Sequence, residues 1–361
     1  MNVLVIGGGM IGSLIAEELS YDYNVSVLDN NNERLDNIKT RNQKIQCINL
    51  DIRKGDVIPL IRNKDLTINC LPGFMGFEML EKIIESKVSC VDISFMPENI
   101  MDLSEMAMNN GCIVIPDAGV APGLSNLISG NLVANNDIRE IQIMVGGLPK
   151  EKIPPWNYKA PFSPIDVIEE YTREARKRVN GKQEIKPALS EKFLLDVEGI
   201  GELEAFLTDG LRTLMDDKGI LSDVPNLAEY TIRYPGHCDL VKKMFKEGKF
   251  SESNIDATCK ELFELWKLNE DEEEFTFMLI IATKNDGKEI SYTVFDEYTN
   301  GRSSMSRTTG LTACALARIV LEDRIEGNGV IPPENIGTER RLYDFVLKYL
   351  KEKGISIESH S

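Results

Sequence analysis

Histidine is almost missing from this chain: His237 and His360 are the only two in 361 residues. That scarcity argues against a metal centre built on several imidazoles, and the seven cysteines form no thiolate cluster to replace one. The cysteines are odd in number and scattered, with no C-x-x-C spacing. Cys70, Cys90 and Cys112 lie in or beside apolar runs, where reduced cysteine behaves as a small hydrophobe. A reducing, cytoplasmic setting is therefore expected. No apolar run approaches the ~20 residues needed to cross a bilayer. Residues 1–12 carry no basic n-region, so no signal peptide is expected. Positive charge is also short: 41 Lys and Arg against 58 Asp and Glu give a formal net charge of −17. Nucleic acid and anionic membrane surfaces are poor partners for such a chain. What remains is an ordinary soluble composition, 42% hydrophobic and 27% charged, at a length that suggests two domains.

The chemistry starts in the first thirty residues. Val3–Ile6 is a short apolar run of the kind expected for a strand buried on both faces. Gly7-Gly8-Gly9-Met10-Ile11-Gly12 follows at once and fits G-x-G-x-x-G. Ile11, Leu14, Ile15 and Leu19 then fall at helical spacing, and a second apolar strand, Val25–Leu28, ends in Asp29. Gly7 allows the tight turn, Gly9 lets backbone approach a pyrophosphate, and Gly12 lets helix and strand pack closely. Phosphates then meet the free N–H groups of a helix N-terminus, with Met10 and Ile11 beside them. Asp29 stands about 20 residues on, where an acid binds the ribose 2′-hydroxyl and repels a 2′-phosphate, so the cofactor expected is NAD.

The alternation continues. Strands are expected at 48–50, ending in Asp51, and at 66–71, 88–93 and 112–115, with helices at 30–38, 77–86 and 101–110 between them. Six strands separated by helices predict a doubly wound parallel sheet, an α/β Rossmann arrangement, with its ligands at the carboxyl ends of the strands. Asp51, Asn69, Leu71 and Pro72 are the expected cofactor neighbours there. Asp92, Ser94, Phe95 and Asp117 stand at the same rim and are candidates for the substrate side.

The pattern breaks at Pro116–Gly123. A helix over 124–134 is followed by a strand over 140–145 that Gly146-Gly147-Leu148-Pro149 is expected to stop. Strand-like runs recur at 229–234, 274–283 and 290–295, and the acidic run 269–274 reads as a solvated turn. Residues 306–320 and 342–353 read as closing helices.

Five motifs in this order resemble the saccharopine dehydrogenase-like family: the glycine loop, PDAGVAPGLSN at 116–126, VGGLP at 145–149, YTIRYPGH at 230–237 and SMSRTTG at 304–310. Ala121 stands where saccharopine reductases usually carry an Asp, which makes the chain most similar to the lysine 6-dehydrogenase branch. The resemblance implies an NAD-binding Rossmann domain over 1–120 and an inserted α+β substrate and dimerisation domain over 121–304. Helices over 305–361 would return to the first domain. It further implies a homodimer or larger homo-oligomer, and hydride transfer between a nicotinamide and a C–N bond of an amino acid. On this branch the reaction is oxidation at the ε-amine of L-lysine to 2-aminoadipate 6-semialdehyde. A saccharopine reductase or carboxynorspermidine-type dehydrogenase is the alternative, and a catalytically silent nucleotide-binding protein a more distant one.

Oxidising a carbon beside an amine needs a neutral nitrogen, and a free lysine amine holds its proton to a pKa near ~10.4, so a proton acceptor is required. Asp92 and Asp117 are strand-end acids that could serve, or could simply cap turns. His237, after Pro235-Gly236, is the third candidate, with a structural histidine as its alternative. Arg233 suits a substrate carboxylate through its planar fork, against a plain ion pair. Arg307, with Thr308 and Thr309, opens a helix and could bind an anion or form an ordinary N-cap region. Trp156, Tyr158 and Phe162 could wall a lysine side chain or belong to the core. No metal is expected.

Overall fold

The computed structural model describes residues 1–160, 164–269 and 272–360, so Phe162 and part of the acidic run lie outside the described residues. The chain folds as two compact units. The first comprises Met1–Asn131 and Ser306–Lys353, the second Leu132–Met305 and Gly354–Ser361.

In the first unit, β1 (Asn2–Ile6), β2 (Asn24–Asp29), β3 (Gln46–Asn49), β4 (Leu66–Asn69), β5 (Ser89–Asp92) and β6 (Ile113–Ile115) form one sheet with the short strand Gly329–Val330. Its order is Gly329–Val330, β6, β5, β4, β1, β2, β3, and every pairing is parallel. This is the expected doubly wound sheet. Val3, Leu4, Val5 and Ile6 are fully buried, because helices cover both faces of a parallel sheet. Leu4 and Ile6 join Leu80, Ile83, Cys90 and Val114 in one apolar core. Ile6 is in register with Leu28 on one side and Asn69 on the other, and Asn69 with Asp92. The carboxyl ends of β1, β2, β4 and β5 therefore share one rim, at the point where strand order reverses.

The second unit is a mixed sheet. Its strands are β7 (Ile138–Pro149), β8 (Ala175–Val179), β9 (Lys182–Lys186), β10 (Phe193–Val197), β11 (Gly201–Leu207), β12 (Asn226–Arg233), β13 (Glu274–Lys284) and β14 (Glu289–Glu297). The order is β10, β11, β12, β7, β13, β14 and then Ser356–His360, with β8 and β9 branching from β12. Only β12 and β7 pair in parallel along that path. Helices Pro164–Thr172, His237–Lys246 and Ile255–Leu265 build a second core, with Trp266, Tyr171 and Phe206 fully buried in it.

Three features differ from the sequence expectation. Gly146-Gly147-Leu148-Pro149 does not stop β7, because β13 pairs along its whole length, Pro149 included. Gly146 serves close approach instead: a Cβ there would stand 2.4 Å from the Ile232 carbonyl oxygen. The four strands between Ala175 and Leu207 were not anticipated, although Asn180-Gly181, both with positive φ (50° and 76°), is the turn signal that joins β8 to β9. Finally, Ser356–His360 does not stay with the closing helices. It pairs with β14 at the edge of the second sheet, burying Ile357.

Candidate functional site

The glycine loop is built as its spacing suggests. Gly7 has φ +100°, a conformation L side chains rarely adopt, and a Cβ there would lie 2.6 Å from the Cys70 carbonyl oxygen. A Cβ on Gly12 would lie 1.9 Å from the Gly7 carbonyl oxygen, so helix Met10–Leu19 could not sit on β1 with any larger residue. Gly9 differs: nothing lies within 4 Å of a Cβ placed on it, and no side chain caps the helix it opens. The protein's own packing accounts for Gly7 and Gly12 but not for Gly9. A pyrophosphate against that backbone does account for it, so these residues fit a dinucleotide. Met10 is exposed at the loop and Ile11 is half-buried behind it.

Asp29 ends β2 under the loop. Its Oδ2 accepts the Gly8 N–H at 2.7 Å and its Oδ1 the Asn31 N–H at 2.8 Å, which fixes the carboxylate beneath the glycine loop. Arg34, exposed at the start of the next helix, lies 3.6 Å from the same carboxylate. Asp51 sits at the end of β3 and takes a two-pronged bond from Arg53, 3.0 Å on each oxygen; that pairing holds its carboxyl low, at about 2. Leu71 and Pro72 are half-buried between β4 and helix Gly73–Glu85.

At the ends of β4 and β5 the acid expected to face substrate turns inward. Asp92 is fully buried. Its Oδ1 accepts the Ser94 N–H at 2.9 Å and the Ser94 hydroxyl at 2.7 Å, and its Oδ2 accepts the Asn69 amide at 2.5 Å. Burial pushes its carboxyl up to about 7, against the pull of Ser94 and Asn69. Asn69 spends its amide hydrogens on Asp92 and on the Gly76 carbonyl at 3.3 Å, and its buried Oδ1 has no hydrogen-bond partner among the described residues. An orphaned acceptor beside the glycine loop is a second feature that fits a bound ribose or nicotinamide amide. Ser94 is buried and Phe95 half-buried. Asp92 thus holds Ser94 and Asn69 in place.

Asp117 follows β6 in the left-handed region, φ 50°, and is buried. Such a backbone is uncommon for a non-glycine residue and clusters at functional turns. The next N–H, of Ala118, donates to the Asp92 carbonyl at 2.8 Å, which locks the loop to β5. Thr309 packs on that loop, since a Cβ on Gly119 would meet its methyl at 3.3 Å. Asp117, Asp92 and Thr309 are therefore gathered at one rim. Arg307 looks elsewhere: its guanidinium donates to the Lys353 carbonyl at 2.9 Å, at the carboxyl end of helix Arg340–Glu352. The anion site foreseen at the start of helix Ser304–Leu321 is also preempted, because the Glu274 carboxylate accepts the Ser304 N–H, and its other oxygen the Ser304 hydroxyl at 2.6 Å. The acid caps that helix.

In the second unit the structure brings Arg233 and His237 together. Both are buried. Arg233 donates through Nε to the Tyr171 hydroxyl at 3.0 Å and through Nη1 to the Ile232 carbonyl at 2.8 Å. Its Nη2 reaches Tyr158 at 3.4 Å and Glu170 at 3.3 Å, and the guanidinium stacks 4.4 Å from the Tyr158 ring centre. His237 Nδ1 lies 3.2 Å from the Trp156 carbonyl, which can only accept, so Nδ1 carries the hydrogen and Nε2 is the acceptor. Tyr171 then donates to Nε2 at 3.0 Å while its oxygen receives Arg233. Burial, and secondly the Arg233 charge, depress the imidazole to about 3. The rings of Trp156, Tyr158 and Trp266 close around it at 5.4, 4.9 and 5.7 Å. Trp156 and Tyr158 therefore belong to a packed cluster with His237. Sequence reading missed Tyr171, Glu170 and Trp266, which complete it. It also missed Glu204, whose carboxylate accepts the Gly236 and Cys238 N–H groups at the start of helix His237–Lys246. No local pattern marks any of the four.

Among the described residues no group of three or more His, Cys, Asp or Glu is placed to hold a metal ion. No helix among them is long and apolar enough to cross a membrane. A glycine loop at the switch point of a doubly wound parallel sheet, followed in the chain by a second mixed-sheet unit, is the architecture of a two-unit pyridine-nucleotide-binding protein. Its family is shown by two matches: the saccharopine dehydrogenase NADP-binding domain over residues 3–115 and the saccharopine dehydrogenase C-terminal domain over 119–355. The chain belongs to the saccharopine dehydrogenase family. Curated relatives include the mitochondrial alpha-aminoadipic semialdehyde synthases of Mus musculus and Rattus norvegicus, each 22% identical over 99% of this chain. The chain spans about half the length of these relatives, 48% in each case. Among solved structures, the apo saccharopine dehydrogenase (L-Glu forming) of Saccharomyces cerevisiae has a TM-score of 0.79 at 18% identity and covers both chains completely. That likeness extends the fold agreement to the second unit.

Proposed function

We propose that this chain is an NAD-dependent dehydrogenase acting on a C–N bond of an amino acid, best the ε-amine of L-lysine. The observation that carries the reading is the glycine loop with the Asp29 carboxylate held against its Gly8 N–H, on a chain of the saccharopine dehydrogenase family. NAD, when bound, supplies the hydride acceptor. The chain's residues supply position and proton traffic. Gly9 and the open end of helix Met10–Leu19 hold phosphate, Asp29 selects a free 2′-hydroxyl, and Asn69 offers its acceptor to the ribose or amide. Asp117, strained at the strand rim, is the proposed acceptor of the amine proton. Asp92 positions Ser94, and His237, engaged through both nitrogens, positions Tyr171 and Arg233. The substrate loses a hydride from its ε-carbon and a proton from nitrogen. Water then replaces nitrogen as the carbonyl oxygen, releasing ammonia and leaving the semialdehyde. Ala121 supports lysine over the larger dicarboxylic substrate of saccharopine reductases, which the resemblance pairs with an acid at that position.

A second reading, a saccharopine oxidoreductase, is favoured by the names of the relatives and by Arg34, a cation beside Asp29 that could meet a 2′-phosphate. One experiment separates the two: reduced nucleotide formed from lysine, saccharopine and ornithine at alkaline pH, with NAD and NADP in parallel. Turnover of lysine with NAD supports the first reading. Turnover of saccharopine alone supports the second, and turnover of none with either nucleotide overturns both.

A further inference from the structure

β10 lies at an open edge of the second unit's sheet. β11 pairs with it on one side, and among the described residues no strand pairs with the other. A free edge presents unpaired backbone N–H and C=O groups, and proteins ordinarily blunt it with proline, a bulge or a covering segment. β10 has none of these. Phe193-Leu194-Leu195-Asp196-Val197 contains no proline, and its register with β11 is unbroken from Phe193↔Ala205 to Val197↔Gly201. Nothing covers it either: Leu194 is 58% exposed and Phe193 36%.

The two faces of the strand differ in character. Phe193 and Leu195 share one face, where the Phe193 ring stands 5.1 Å from that of Tyr230 and Leu195 packs against the core of Leu203 and Ile232. Leu194 and Asp196 share the other, with Lys192 one residue before the strand on the same side. Lys192 meets the exposed Asp239 at 2.8 Å. Asp196 is exposed and has no ion pair among the described residues.

This order of residues is complementary to itself. When two copies of a strand meet antiparallel about a two-fold axis perpendicular to the sheet, one residue faces its own copy and the pairs on either side occur twice. With the axis at Leu194, the two exposed leucines cover each other. Phe193 then meets the copy's Leu195 on the apolar face, and Lys192 meets the copy's Asp196 on the other. Glu191 falls opposite Val197 and Glu198 opposite Ser190, so no like charges oppose. An axis at Phe193 or at Leu195 would set Leu194 against Lys192 or Asp196 instead. For a chain of net charge −17, whose copies repel at a distance, a segment that matches its own charges is a place where two can meet.

We infer that β10 is a docking edge for a second copy of this chain, paired antiparallel at Leu194 so that the two mixed sheets run on as one. The test is sedimentation of the full-length protein over a wide range of concentration. Reversible association to twice 40.5 kDa is expected. Leu194→Asp, which sets two carboxylates face to face, should weaken association by at least about tenfold. Asp196→Lys, which sets a lysine against Lys192, should weaken it as well. Both side chains are exposed, so the variants should keep the circular dichroism of the parent. Leu194→Cys should give a disulfide-linked dimer on mild oxidation, because Cα atoms opposite each other in antiparallel strands stand about 4.5–5.5 Å apart, within the reach of a disulfide. Leu195→Cys, whose opposite residue is Phe193, should link no more than the unmodified protein. A monomer at every concentration, a dimer indifferent to Leu194→Asp, or a disulfide formed as readily by Leu195→Cys as by Leu194→Cys would each overturn the inference.

Discussion

Tyr171 stands with its hydroxyl 3.0 Å from His237 Nε2, and that single bond fixes the state of three buried residues. With the Trp156 carbonyl holding the hydrogen on Nδ1 and burial keeping the imidazole neutral, Tyr171 donates to Nε2 and its oxygen is the acceptor for Arg233 Nε. Replacing Tyr171 with Phe strips a donor from His237 and leaves a buried Arg233 N–H without its acceptor. A loss of roughly 1–3 kcal/mol of unfolding free energy is expected, the usual cost of an orphaned buried polar group. Urea unfolding checks it, and NADH affinity should not change, because the nucleotide loop lies in the other unit.

The same histidine predicts an acid limb in the stability curve. Its folded pKa is about 3 against 6.5 for the ordinary group, so the unfolded chain binds the extra proton between those values. Stability from the neutral imidazole is fully present above pH 6.5 and is lost as pH falls toward 3. The loss reaches on the order of 3 kcal/mol by pH 4. His237→Asn should flatten this limb when urea midpoints are compared at pH 7 and pH 4. An equal acid loss in both proteins would assign it to the carboxylates.

The glycines of the loop should separate by function. Gly12→Ala forces a Cβ to 1.9 Å from the Gly7 carbonyl oxygen and should lower the melting temperature. A Cβ on Gly9 has no heavy atom beyond its chain neighbours within 4 Å, so with Gly9→Val the fold should hold while NADH affinity, read by fluorescence titration, collapses. A Gly9→Val protein with unchanged affinity would show that the loop is not the phosphate cradle.

Asp29 should set nucleotide choice. A preference for NAD over NADP of at least about tenfold, roughly 1.4 kcal/mol, is expected from a carboxylate facing a 2′-phosphate. Asp29→Ser should narrow that gap, and doing so together with Arg34→Ala should show whether Arg34 is what a 2′-phosphate would meet. The measurement is the ratio of kcat/KM values for the two nucleotides, and equal use by the unmodified protein would remove the role given to Asp29.

The first unit was legible because its signals are local. A fully apolar β1, a glycine turn and an acid at the end of β2 are each set by a few consecutive residues. The second unit was less so. Gly146 and Gly147 read as a stop, yet a long partner strand carried β7 through them, and only the contact with Ile232 explains why small residues were needed. Strands β8 to β10 are short and partly exposed, so their alternation is weak, and the Asn180-Gly181 turn was the one strong signal there. At the site, strand-end positions located Asp92 and Asp117 correctly at the rim. What they touch was beyond reach, because Ser94 and Asn69 approach Asp92 through the fold. His237 and Arg233 were singled out in one motif, but the tyrosine that joins them is 62 residues from Arg233 in sequence.

The order in which the chain visits its two units has a consequence for synthesis. Helices within Ser306–Lys353 finish the nucleotide-binding unit only after all of Leu132–Met305 has been made, and Ser356–His360 then closes the edge of the second sheet. A ribosome releasing this chain N-terminus first would leave the parallel sheet without Gly329–Val330 while the mixed sheet emerges. Each unit therefore waits on a segment that appears late, and nascent chains halted before residue 306 should lack both the Gly329–Val330 edge of the parallel sheet and the pairing of Ser356–His360 with β14.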